Sequence, residues 1–174
     1  MMPGLILPPY LSRDVQMVSR TAGSAIGNFN RQNLVFDGVI PPAGGGGTDA
    51  YGGNYVGKSL PAAISVDRLH IWGHESAGII VDEKSGGTIT IRIYGRNGSN
   101  PGDRYDGTKI GEVQFSTTAD PPGRSGPQLV FVDPEQTMSL WDRVWASFSF
   151  NGETSSATRF CVSEMQIYQS IRNN

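Results

Sequence analysis

Apolar and polar residues alternate with a period of two in several short stretches of this chain. Thr88 to Tyr94 is the cleanest, with Ile89, Ile91 and Ile93 on one face. Val144 to Phe150 repeats the pattern: Val144, Ala146, Phe148 and Phe150 oppose Trp145, Ser147 and Ser149. In Val162 to Tyr168, Met165 and Ile167 oppose Glu164, Gln166 and Tyr168. Ile64 to Trp72 reads as one strand with imperfect alternation, and Val113 to Phe115 and Leu129 to Val132 as shorter ones. Turn signals stand between them at Gly86-Gly87, Asn97-Gly98, Asp106-Gly107 and Asn151-Gly152. Short strands punctuated by turns predict an antiparallel sandwich or barrel, with one face of each sheet on a core. No helix longer than two turns is predicted after residue 30.

Composition narrows the class. The chain has 174 residues, of which 23 are Gly and 11 are Pro. That is well above the usual share of about 12% and excludes coiled coils and long-helix proteins. No Gly-X-Y period runs through it, which excludes collagen. A single domain of this length buries about 70% of its unfolded surface and folds without a disulfide or metal. The lone Cys161 is expected as a small apolar strand residue. A net charge of -2 with no basic block leaves no footprint for a nucleic-acid partner.

Residues 1–27 differ from the rest. Leu5 to Tyr10 is extended, because residues before Pro avoid the helical region. Its three-residue apolar core has no positive flank, short of a secretory signal and of a membrane span. The expectation is synthesis in the cytoplasm without Sec export and no membrane insertion. Two readings stay open for this segment: a frayed terminus, or an arm docking on a partner or a neighbouring subunit. The expected division is an arm over 1–27 and a β-sandwich domain over 28–174.

Catalytic signatures are few. The run Ala43 to Thr48 has four glycines but lacks the Lys-Ser/Thr ending and following helix of a phosphate loop, and reads as a surface loop. His70, His74 and Cys161 do not make a zinc set. No Gly-X-Ser-X-Gly elbow occurs. A non-enzyme is expected.

Four pieces of sequence, in order, resemble one family. They are Asn33 to Gly38; Tyr55 to Gly73; Ile91 to Gly98 followed by Asp106 to Gly111; and Val144 to Phe148 with Cys161 to Tyr168. Together they are similar to the discoidin or coagulation-factor type C domains of the galactose-binding-like superfamily. The "Asp-Gly-Thr-x-x-Gly" and "Cys-Val-x-Glu" variants look like copies in phage virion proteins and bacterial surface proteins. The resemblance covers about residues 28–170 and implies an all-β, antiparallel jelly-roll sandwich. It also implies glycan binding through loops, and a structural Ca2+ whose ligands would include Asp37 and Glu164. Where relatives carry an Asn/Ser/Thr-rich ligand loop after Asp-Gly, this chain has Val39 to Ala43 and then four glycines.

Sugars are held by an aromatic face under the ring and by paired polar groups on the hydroxyls. Two loops offer that chemistry, and the resemblance sets them at one end of the sandwich. Trp72, His74 and Glu75 lie in the first; Arg96, Asn97 and Tyr105 in the second. The competing reading is that these are solvated turns, with Trp72 covering the core edge. The expected function is a glycan-binding virion protein, a phage head fibre, spike or tail fibre attaching to host surface carbohydrate. Its expected partners are a surface glycan, other virion proteins through the arm, and further copies of itself. The alternative is a decoration protein that uses the sandwich as a structural module.

Overall fold

The structure, a computed structural model, describes residues 14–40, 50–74, 78–80, 83–116, 124, 126–154 and 160–171. The Gly-rich run 43–48, Glu75 and residues 1–13 lie outside the described residues.

Two antiparallel sheets face each other across one core. The first holds β1 (Asp14–Met17), β11 (Glu164–Ile171), β5 (Val66–Trp72) and β8 (Gln128–Phe131), in that order. The second holds β2 (Ser24–Gly27), β4 (Tyr55–Ile64), β9 (Trp141–Thr154), β6 (Glu83–Arg96) and β7 (Thr108–Ser116). A short pair, β3 (Ala50–Tyr51) with β10 (Cys161–Val162), closes one side. The described helices are two short 3-10 turns, Gln32–Phe36 and Pro134–Gln136.

The two-fold pattern sets the core. Ile89, Ile91 and Ile93 sit opposite Phe150, Phe148 and Ala146, and all three isoleucines are fully buried. Leu69, Ile71, Met165, Ile167 and Val130 meet them from the other sheet. Each such side chain contributes about 1.5–3 kcal/mol by leaving water. Cys161 is buried in a strand, as its apolar reading expects.

The stretch Ile64 to Trp72 is not one strand. β4 and β5 are separate elements in different sheets, and buried Ser65 is the corner between them. Its hydroxyl bonds the Thr137 carbonyl, and its own carbonyl accepts from Ser170 N at 2.9 Å. One side-chain and one backbone tether at the corner turn the chain from one sheet to the other. The 1–27 segment also divides. Residues 14–17 pair with β11 and residues 24–27 with β4, so this part belongs to the two sheets.

Candidate functional site

The outward face of the five-stranded sheet carries its own aromatic cluster. Tyr94 and Trp145 are cross-strand partners, and their rings stack at 5.6 Å and 14°. Ile26 and Tyr55 complete the cluster, and Trp145 is fully buried. The alternation that puts Trp145 outside the main core is therefore real, but its face is not open to solvent.

What covers it is the 97–107 loop between β6 and β7. Arg96 pairs with the Asp106 carboxylate at the loop's base and donates to the Asp106 carbonyl at 3.2 Å. Asp106 also accepts from Gly102 N at 2.7 Å. That N–H first, and the Arg96 guanidinium next, hold the Asp106 carboxyl below its ordinary pKa. Trp145 Nε1 donates to the Arg104 carbonyl at 3.0 Å. Gly107 lies against the indole, where a Cβ would come within 2.4 Å of Cη2, so only glycine fits.

The folded-back loop delivers Arg104 and Tyr105 to an open cleft. The Tyr105 ring stands 6.1 Å from Tyr94 at 60° and is 46% exposed, the solvent end of the ladder Tyr105–Tyr94–Trp145. Arg104 holds its guanidinium 4.6 Å over that ring and donates to the Phe148 carbonyl at 3.0 Å. The opposite wall is an amide pair. Asn28 Nδ2 donates to Asn54 Oδ1 at 3.0 Å, and Asn28 Oδ1 accepts from the backbone of Asn54 and Tyr55 at 2.8 and 3.1 Å. The cleft is two adjoining hollows that share Asn28, Asn54 and Arg104; Tyr105 and Asp103 line one, and Ser149, Phe150 and Phe160 the other. The cleft thus combines an exposed ring, a fixed cation and amides with two N–H donors each.

Of the six sequence-predicted ligand residues, Glu75 lies outside the described residues and the other five do not assemble. Tyr105 lies in the cleft, and Arg96 anchors its loop from below. Asn97 is a clasp, donating to the Leu140 carbonyl at 3.0 Å and accepting from Asp142 N at 2.9 Å. These two stand by Arg143, at the start of β9. Trp72 and His74 are not among the residues lining the cleft, although Phe160, which does line it, bridges Ile80. Trp72 is buried opposite Glu164. His74 bridges Gly78 and leads to Ile80 and Phe160, whose ring meets Phe148 further along β9. Asn28, Asn54 and the anchoring role of Trp145 are what the sequence reading lacks. The Arg104-Tyr105 dipeptide is the one local signal of this cleft.

Asp37 and Glu164 belong to a different constellation. Glu164 points away from the main core, yet is fully buried beneath the 18–38 segment. Its Oε1 accepts from Arg20 Nε at 2.8 Å and its Oε2 from Gly38 N at 3.0 Å. Burial pushes this carboxyl up, against the pull of Arg20 and Gly38. Asp37 is exposed and accepts from Val39 N at 2.8 Å, closing a local turn. Among the described residues no group of three or more His, Cys, Asp or Glu could hold a metal. Ca2+ takes six to eight oxygens. Here both Glu164 oxygens already accept from N–H donors of the chain itself, which does not fit that donor set.

No family model matches the sequence, and no curated protein matches it. Solved structures do. A truncated AlyQ with CBM32 and alginate lyase domains superposes with a TM-score of 0.54 and 11% identity, over 92% of this chain and 35% of that one. A family 89 glycoside hydrolase from Clostridium perfringens gives 0.50 and 14% identity, over 88% and 15%. The CBM32 of AlyQ in complex with 4,5-unsaturated mannuronic acid gives 0.49 and 10% identity, over 84% and 94%. This chain spans about a third of the truncated AlyQ and less than a fifth of the hydrolase. The shared feature is the fold, an antiparallel β-sandwich.

Proposed function

We propose that this protein is a non-catalytic glycan-binding module, and that the sugar binds in the cleft between Arg104-Tyr105 and Asn28-Asn54. The observation that carries this reading is the 46% exposed Tyr105 ring, braced by Tyr94 and Trp145, with the Arg104 guanidinium over one of its faces and the other left for a ligand. A pre-positioned ring offers a stacking face at little entropic cost, and the flanking amides and guanidinium suit vicinal hydroxyls or a carboxylate. A fold shared with a structure that carries CBM32 is consistent with it.

The finer reading is attachment of a virion to host surface carbohydrate, as a head fibre, spike or tail fibre. Its support is the likeness of the Asp106 to Gly111 and Cys161 to Tyr168 pieces to copies in phage virion proteins. Single-site sugar affinity is about millimolar, so repetition on a particle or in an oligomer would supply avidity.

A glycan array of neutral and acidic oligosaccharides, probed with folded and artificially multimerised protein, tests the binding claim. Signal on a defined glycan class, lost in Tyr105→Ala, is the expected result. A blank array with both proteins folded contradicts it. Finding the chain in purified particles together with a blank array would favour the decoration-protein alternative.

A further inference from the structure

Lys58 lies in the middle of β4 and is 3% exposed. An ammonium there requires replacement of its hydration shell. The structure supplies one. Nζ donates to the backbone carbonyls of Ser19 at 3.4 Å and Ala22 at 2.7 Å, and to that of Arg20. Three carbonyls match three N–H donors. The Phe36 ring covers the ammonium at 4.7 Å. Glu164 interacts with it electrostatically, while its own oxygens bond Arg20 and Gly38.

The carbonyls converge because the 19–22 turn curls over β4. Gly23 permits that curl. It has φ +70°, and a Cβ there would come within 1.8 Å of the Ser59 carbonyl oxygen. Converging carbonyls beside a buried carboxylate make a cation site in chemical terms. A divalent ion among them would face a guanidinium and an ammonium in a poorly screened interior.

We propose that the Lys58 ammonium is the resident cation of this site, so that the chain itself supplies the positive charge for which the family resemblance implies Ca2+. The turn at 19–22, the Asp37-Gly38 turn and β11 are then tied together by Lys58, Arg20 and Glu164 without a metal. This is independent of where a glycan binds.

Thermal unfolding of the full chain tests it, with wild type and Lys58→Met each measured in EDTA and in millimolar CaCl2. Wild type is expected to melt at the same temperature in both buffers. Lys58→Met, which keeps the stem but leaves three carbonyls without their donor, is expected to melt lower by at least about 4 °C, or not to fold. A wild-type melting temperature that rises by several degrees with Ca2+ overturns the proposal, because a ligand of the native state alone must stabilise it. So does a Lys58→Met protein as stable as wild type. The wild-type comparison decides the matter even where the variant does not fold.

Discussion

Trp145 reaches through the outward face of its sheet to donate its indole N–H to the Arg104 carbonyl at 3.0 Å. One bond thus joins a fully buried residue of the five-stranded sheet to the loop that carries the proposed sugar contacts. Trp145→Phe keeps an aromatic partner for Tyr94 and removes the donor. Losing one partly buried hydrogen bond costs about 1–3 kcal/mol, a fall of roughly 2–12 °C in melting temperature for a chain of this size. Amide hydrogen exchange across residues 97–107 is expected to quicken as well. Unchanged exchange there would show that the loop does not depend on this bond.

Asn97 was a candidate ligand from its sequence context, and its bonds give it another role. It joins the start of the loop to Leu140 and Asp142. Asn97→Ala is expected to cost about 1 kcal/mol of stability, with the array signal of the folded protein preserved. A variant of wild-type stability with lost binding would return Asn97 to the site.

His70 introduces a pH dependence. Its ring lies 4.4 Å from Tyr168 and 6.1 Å from Trp72, and Arg68 shares the Tyr168 ring. Gln166 and Leu129 are its cross-strand neighbours. Burial first, and Arg68 second, lower its pKa from the ordinary 6.5. A depressed value means that the unfolded chain takes the proton first as pH falls. Stability is therefore complete above the unfolded pKa and declines through the acid side of 6.5 until the folded protein also protonates. Denaturant unfolding between pH 7 and pH 5 should show a shallower decline in His70→Gln than in wild type. Parallel profiles would remove His70 as the cause.

Gly57 marks a close approach of strands rather than a turn. A Cβ there would stand 2.0 Å from the Val144 carbonyl oxygen and 2.4 Å from Trp145 Cα. Gly57→Ala is expected to destabilise by about 1–3 kcal/mol, through displacement of β9 beneath Trp145. Equal chemical denaturation midpoints for variant and wild type would contradict this packing.

Parts of the molecule were legible because side-chain period and burial agree. Ile89, Ile91 and Ile93 announce β6, and Met165 and Ile167 announce β11, since each alternates against polar residues. β4 was poorly legible in the pattern because Gly57, Lys58 and Ser59 break it, and Lys58 is inside only because a turn far off in sequence brings carbonyls to it. Tyr105 was legible as an exposed aromatic beside a cation. Asn28 and Asn54 were not, because each is a single polar residue near a turn and they meet only once β2 has paired with β4, where their amides bond each other and the Asn54-Tyr55 backbone. The two polar loops looked equivalent as strings of residues. Strand direction separates them, and direction is a property of the whole sheet.

The most direct test of the account is chemical-shift mapping on 15N-labelled protein, titrated with the glycan that gives the strongest array signal. Shift changes are predicted at Arg104, Tyr105, Asn28 and Asn54, with a dissociation constant near millimolar for a single site. The changes should vanish in Tyr105→Ala while the rest of the spectrum stays in place. Shifts clustered instead at Trp72 and His74, or a titration that moves nothing, would contradict the assignment of this cleft.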